Sequence, residues 1–123
     1  MQIEKFITDS SKEYQTSERC SIIEIINSSG NENVSLAQAR VAPGVITADH
    51  SLNETEEIYY ILSGQGIAIV DAIHHNMTKG DAIIIPKGVH QSIENTGKED
   101  LVFLCICTPR FQQENYINHE NLE

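Results

Sequence analysis

Residues 43–66, PGVITADHSLNETEEIYYILSGQG, decide how this chain folds. The segment opens on a Pro-Gly turn, carries one histidine among several carboxylates, and then becomes a run of β-branched and aromatic residues that stops at Gly64. A polar segment that holds His50 and Glu57 beside such a strand can aim alternate side chains into a barrel. The pattern therefore predicts a strand over residues 57–62 with one face turned toward a barrel interior.

Further short strands are predicted on both sides of this segment. Turns rich in Gly, Pro and Asn separate the apolar runs, and no segment has the periodicity of an amphipathic helix. Roughly eight or nine strands at even spacing predict an all-β fold, either a closed antiparallel barrel or a jelly roll. Seven of them are residues 20–26, 34–41, 57–62, 67–70, 82–85, 90–94 and 101–108, with 67–70 as the hairpin partner of 57–62. Residues 71–77 are left open between strand and turn, and residues 1–19 between a short edge strand and an arm.

Length and charge narrow the class of protein. The 123 residues predict a single domain, 1–123, with a core over about 20–108, an N-terminal arm and a short C-terminal tail. A net charge of −10 repels phosphate backbones and anionic lipid, so neither nucleic acid nor a membrane is an expected partner. The absence of a long apolar run and of a secretory signal predicts a cytoplasmic location.

The three cysteines are expected to be reduced thiols. Their odd number favours a reducing compartment over a disulfide framework. Cys105 and Cys107 lie two residues apart on a predicted strand, so their thiols share one face. We interpret them as small buried hydrophobes in a barrel wall, with a soft-metal pair as the alternative.

The spacing of residues 44–64 resembles the first motif of the cupins. That motif runs Gly, five residues, His, one residue, His, three or four residues, Glu, six residues, Gly. Gly44, His50, Glu57 and Gly64 stand at its positions, and Leu52 replaces the second histidine. The resemblance implies a double-stranded β-helix that is often paired as a homodimer.

Residues 80–95 resemble the second cupin motif, which runs Gly, five residues, Pro, one residue, Gly, two residues, His, three residues, Asn. Gly80, Pro86, Gly88 and Asn95 fall at these places, but the histidine position holds Gln91 and His90 comes one residue early. On a strand, His90 faces away from Gln91, so it replaces the missing ligand only if the strand shifts or bulges.

The resemblance also implies one divalent metal ion, Zn, Ni, Fe or Mn, held by His50, Glu57 and Gln91. This donor set is expected to bind a metal ion weakly, because it contains a single imidazole. The alternative is a metal-free pocket in which these three groups hydrogen-bond a small organic ligand, with Leu52 and Tyr59 as further ligand-binding residues. Both alternatives stay open at the level of sequence.

Three functions follow from the resemblance. The first is an isomerase, cyclase or lyase in which His50 and Glu57 are the catalytic acid and base. The second is a non-catalytic binding or sensor protein that uses the same groups only to orient its ligand. A metal-dependent dioxygenase ranks last, because a site with one histidine holds iron poorly. The pair His74 and His75 is interpreted as solvated.

A homodimer is expected on separate grounds. The predicted strand at 101–108 is apolar on both faces, which indicates that something covers its outer face. Ile3, Phe6 and Ile7 add apolar side chains near the N-terminus. A sheet-to-sheet contact between two copies of the chain satisfies both observations.

Overall fold

The computed structural model describes residues 3–120, which fold into two antiparallel sheets packed face to face. One sheet has the order β1-β2-β3-β10-β5-β8 and the other β11-β4-β9-β6-β7. This arrangement confirms the predicted all-β jelly roll. The strands are β1 Tyr14–Gln15, β2 Ser21–Ile26, β3 Ser35–Val41, β4 His50–Leu52, β5 Glu56–Ser63, β6 Gln65–Val70, β7 Ile73–Thr78, β8 Ala82–Ile85, β9 Gln91–Asn95, β10 Leu101–Thr108 and β11 Tyr116–Asn118, with 3-10 turns at Ser10–Lys12 and Gln113–Asn115.

The interior of the barrel follows from alternation along the strands. On β5, Glu57, Tyr59 and Ile61 are buried while Tyr60 is exposed, as the two-residue period of a strand requires. Equivalent inward positions on the other strands complete the core between the sheets. The largest fully buried apolar side chains are Ile61, Ile85, Ile93, Leu101 and Val41.

The turn at Gly64 does not make the predicted hairpin. β5 pairs with β10 and β8, whereas β6 pairs with β7 and β9 in the opposite sheet. Gly64 adopts a φ of +87°, and a Cβ there would stand 2.7 Å from the carbonyl oxygen of Asp100. Only glycine fits this corner, which carries the chain from one sheet to the other. The prediction that residues 67–70 pair with 57–62 was therefore wrong.

Asn95 closes the turn between β9 and β10 from the inside. Its fully buried amide nitrogen donates to the carbonyl oxygens of Val41 at 2.9 Å and Glu99 at 2.7 Å. Its amide oxygen accepts from the Gly97 N–H at 2.9 Å. The asparagine of the second motif is thus a structural residue, because its three hydrogen bonds tie strand ends together.

The chain segments on either side of the barrel meet at its mouth. Arg19 makes a two-pronged ion pair with Glu120, at 3.0 and 2.8 Å, and its Nε donates to the Ile46 carbonyl oxygen at 2.8 Å. β11 adds to the edge of β4. The end of the predicted arm and the tail therefore contact the barrel, whereas Ile3, Phe6 and Ile7 nearer the N-terminus are exposed. Leu122, which belongs to the tail, lies outside the described residues.

Two other expectations meet mixed outcomes. His74 and His75 are exposed, as expected of a solvated pair, but they lie on strand β7. β10 runs between β3 and β5, and its outer side chains Val102, Leu104 and Ile106 are half-buried. The expected homodimer stays a prediction.

Within residues 3–120, no helix has the length and apolar character needed to cross a membrane.

Candidate functional site

A cavity of about 310 Å³ opens between the sheets, below the arm and the tail. Most of its wall is apolar or aromatic, and its polar groups gather where β4 and β5 approach the segment before β2. Of the residues predicted as a site, His50, Leu52, Glu57 and Tyr59 line it. A mostly apolar cavity with a few convergent polar groups is typical of small-molecule sites.

His50 is held from two sides at the start of β4. Its Nδ1 donates to the Ala48 carbonyl oxygen at 2.8 Å and lies 3.0 Å from Glu18 Oε2. The Tyr116 ring stacks on the imidazole with centroids 5.2 Å apart. Because Nδ1 is occupied, Nε2 is the ring nitrogen left to meet a ligand.

The protonation of His50 is set by Glu18. Burial opposes the charged imidazole, but the contact with Glu18 and its negative charge outweigh it and raise the pKa of His50. Burial likewise acts to raise the pKa of Glu18, yet His50 overrides it and the pKa of Glu18 is lowered. Each of the two groups therefore favours the charged form of the other.

Glu18 was missed by sequence reasoning. It lies in the short segment before β2, where no periodicity or motif marks it. Tyr116, on β11, also lines the cavity and was not among the predicted site residues. Its buried hydroxyl lies next to the Glu18 carboxylate and, after His50, helps to lower the pKa of Glu18.

Glu57 is the buried carboxyl group of the cavity. Its residue is only 7% exposed, and Oε1 has no hydrogen-bond partner in the described chain. Burial raises its pKa most strongly, His50 lowers it, and the charge of Glu18 raises it again, which brings the pKa of Glu57 to about 7. At neutral pH this carboxyl group is therefore able both to give and to take a proton.

Gln91 is buried next to Glu57, whose pKa its side chain acts to lower less than His50 does. Its Cα pairs with that of His50 across β4 and β9, and its side chain is turned inward. The residue is 1% exposed, and neither amide atom finds a partner within the described residues. Gln91 does not line the cavity itself.

The three thiols line the same cavity as Glu57. Removal from bulk water raises the pKa of Cys20 to about 11 and raises the pKa values of Cys105 and Cys107 as well. They are free and protonated at neutral pH, so they are weak nucleophiles and poor metal ligands. Their place in the wall agrees with their interpretation as small buried hydrophobes.

The side chains present do not fit a divalent metal ion. No cluster of three His, Cys, Asp or Glu groups is arranged to hold one anywhere in residues 3–120. Leu52 occupies the cavity wall where the motif has its second imidazole, which leaves His50 as the single imidazole among the described residues that line the cavity. One imidazole with a neutral amide such as that of Gln91 holds a divalent ion weakly.

His90 cannot supply the missing ligand. It points outward, with its side chain 54% exposed, and its Nδ1 lies 3.1 Å from Asp49 Oδ2. Its ring stacks on that of His119 with centroids 3.7 Å apart, and His119 Nε2 contacts Ser51 Oγ at 2.8 Å. His90, His119 and Asp49 form an exterior histidine cluster, and Ser51 is a buried residue that His119 contacts.

Comparison with known proteins agrees with the barrel and its two motifs. The Cupin_2 model, described as a cupin domain, matches residues 37–107. This protein belongs to the cupin family. A cupin relative of nearly the same length is the uncharacterized protein MJ1618 of Methanocaldococcus jannaschii, 37% identical over 117 residues, which are 94% of each chain. The oxalate-binding protein of Thermotoga maritima is 36% identical over 70 residues, 57% of this cupin and 58% of the relative.

Solved structures show the same cupin barrel. A predicted oxalate decarboxylase of Thermotoga maritima superposes with a TM-score of 0.75 at 26% identity, over 84% of this chain and 98% of that one. Pac13, a nucleoside dehydratase from Streptomyces, superposes with a TM-score of 0.76 at 12% identity, over 94% of this chain and 91% of that one. The second likeness shows the fold alone.

Proposed function

We propose that this cupin binds a small organic molecule in its cavity and moves protons on it, with Glu57 and His50 as the acid and base. The observation that carries the proposal is the Glu57 carboxyl group. It is buried in the cavity wall with Oε1 unpaired, and its pKa is about 7. A carboxyl group in an apolar site that titrates near neutrality suits general acid–base catalysis.

The two groups have complementary roles in this proposal. Glu57 Oε1 accepts a proton from a carbon or hydroxyl group of the ligand. His50, held as an imidazolium by Glu18, donates from Nε2 to an oxygen of the ligand that gains negative charge or leaves. This pair of transfers is the chemistry of an isomerase, cyclase or lyase.

The fixed environment of His50 supports the assignment. Ala48 and Glu18 both hold Nδ1, and the Tyr116 ring covers one face of the imidazole. The ring is therefore oriented before a ligand arrives, which lowers the cost of reaching a reactive geometry. The nucleoside dehydratase Pac13 is an example of a barrel with this fold that hosts a dehydration.

Solvent exchange of ligand protons tests the proposal with small carbonyl compounds as probes. Compounds that raise the melting temperature of the protein are incubated with it in D2O, and loss of their α-proton signal is followed by NMR. We expect exchange with the native chain and a loss of at least about 100-fold in Glu57→Gln and His50→Gln.

Glu56→Gln is the matched control, since Glu56 is the exposed neighbour of Glu57 and loses the same charge. It is expected to exchange at the native rate. Equal exchange in Glu57→Gln and the native protein contradicts the proposal. Binding without any exchange contradicts it too, and favours the non-catalytic binding protein.

A further inference from the structure

The cavity carries an unusual charge distribution for a site of this kind. Three carboxylates, Glu18, Glu24 and Glu57, line it, and no Lys or Arg does so in the part of the chain that the structure describes. His50 is the only basic side chain there, and it is already paired with Glu18. An incoming anion therefore meets negative groups with no free cation to balance them.

Two of these carboxylates also have unused hydrogen-bonding capacity. Glu57 Oε1 is buried without a partner among residues 3–120. Glu18 Oε2 lies 3.0 Å from His50 Nδ1 and next to the Tyr116 hydroxyl, and a carboxylate oxygen can accept a further hydrogen bond. Glu18 lies close enough for its charge to act on Glu57. Buried acceptors of this kind are costly unless a donor reaches them, and a ligand N–H is the natural donor.

The rest of the wall suits the carbon skeleton of a cation. Aromatic rings surround the cavity, with Tyr59 and Phe103 packed at a centroid distance of 4.8 Å and Tyr116 over His50. Aromatic faces attract ammonium groups, while Leu52 and Ile93 offer apolar surface for hydrocarbon. A volume of about 310 Å³ admits a ring or a short chain.

We propose that the ligand of this cavity is a small organic amine, bound as its ammonium ion between Glu18 Oε2 and Glu57 Oε1 with its hydrocarbon part against Leu52, Ile93 and Tyr59. An ammonium ion has three donors, enough for both carboxylates and for the oxygen of the Tyr116 hydroxyl, which lies next to Glu18. Two carboxylates then face two cations, the imidazolium and the ammonium, so the buried charges cancel.

This ligand class differs from that of one relative. The Thermotoga maritima protein is named for binding oxalate, a dianion. In the present cavity a dicarboxylate would face Glu18 and Glu57 with a single imidazolium to compensate. The proposal rests on the proposed function only in placing the ligand in the same cavity.

A matched ligand series tests the charge preference. Benzylamine, benzyl alcohol and benzoate share one ring skeleton, and oxalate and Zn²⁺ alone serve as further probes. Calorimetry in about 150 mM salt limits attraction to the acidic surface. We expect benzylamine to bind roughly tenfold or more tightly than the alcohol, with benzoate and oxalate weaker still, because charge-assisted hydrogen bonds form only with the amine.

Variants locate the ammonium group. Glu18→Gln and Glu57→Gln are each expected to weaken benzylamine binding by about tenfold, and Glu56→Gln to leave it unchanged. Preferred binding of benzoate or oxalate, binding of none of the probes, or tight Zn²⁺ binding that excludes benzylamine would overturn the proposal. So would benzylamine binding that neither cavity variant weakens. The solvent-exchange assay uses carbonyl compounds, so it can fail or succeed independently of this result.

Discussion

Two histidine–carboxylate pairs, one inside the barrel and one outside, have nearly the same contact distance. His50 and Glu18 are 3.0 Å apart with side chains 8% and 18% exposed, and His90 and Asp49 are 3.1 Å apart with side chains 54% and 46% exposed. Water screens the outer pair, whereas the inner pair lies in a medium that strengthens its attraction. Contact distance alone thus says little about what an ion pair does.

The difference in burial between the two pairs indicates which of them belongs to the candidate functional site. Inside, Glu18 raises the pKa of His50 and the cavity raises the pKa of Glu57, so three titrating groups influence one another. Outside, His90 stacks on His119 and faces solvent on its other side. Burial, rather than residue type, separates a candidate catalytic histidine from a surface one.

Among the substitutions that probe these two pairs, Glu57→Gln is expected to change the free energy of unfolding most. The pKa of Glu57 is about 7 in the folded chain against an ordinary 4.5, so the unfolded chain ionises first and stability falls as the pH rises from 4.5 to 7. Above pH 7 the loss of folding stability that comes from ionising Glu57 reaches its full value of about 3 kcal/mol. The variant should therefore be more stable than the native chain by that amount at pH 8.

Urea unfolding measured from pH 4.5 to pH 8 checks this prediction. The stability advantage of Glu57→Gln should shrink steadily toward the acidic end, because both chains then carry a neutral group at this position. An advantage that does not change with pH would show that the Glu57 carboxylate carries no burial cost. Glu56→Gln provides the control for loss of one acidic charge on the surface.

Glu18→Gln is expected to lower the free energy of unfolding, by a smaller amount than Glu57→Gln raises it. Removing one partner leaves the buried His50 imidazole without its charged acceptor, which should cost about 2 kcal/mol near pH 6. The lowered pKa of Glu18 gives stability that is lost as the pH falls through it, and the raised pKa of His50 gives stability that is lost as the pH rises through it. The destabilisation should thus be greatest between these two pKa values.

An NMR titration of the imidazole signals provides the direct measurement for this pair. The pKa of His50 should fall in Glu18→Gln, since the negative charge that raises it is gone. An unchanged titration of His50 would mean that Glu18 does not control its protonation.

The smallest effect is expected from Asp49→Asn in the exterior cluster. Its pair with His90 is about half exposed, and such pairs contribute between 0 and about 1 kcal/mol. Urea unfolding at low and high salt should show a loss below about 0.5 kcal/mol that disappears as salt is added. A loss as large as that of Glu18→Gln would remove the distinction between the two pairs.

The sequence predicted the barrel because its signals are local. The turns at Gly44, Gly64, Gly80 and Gly88 all have positive φ, and glycine marks such positions in the sequence itself. Alternation along β5 likewise predicted that Tyr59 faces inward and Tyr60 outward. The corner at Gly64 determines which of the two sheets β6 joins. The local sequence pattern does not indicate which sheet that is.

Two of the four main site residues, Glu18 and Tyr116, could not be predicted, because no local sequence pattern marks them. His50 and Glu57 occupy motif positions, but Glu18 and Tyr116 reach the cavity from segments distant in sequence. Gln91 sits at a motif position and is buried next to Glu57, but it does not line the cavity. Side chains that meet only after the arm and the tail have packed leave no periodic signal in the chain.

The segments that complete the mouth of the barrel lie outside the stretch that defines the family. The cupin match covers residues 37–107, whereas Glu18 and Tyr116 fall before and after it. The Arg19–Glu120 ion pair joins the two segments. Proteins built on one conserved scaffold can therefore evolve new specificity by exchanging these flanking pieces, while the β-roll and its turn glycines stay unaltered.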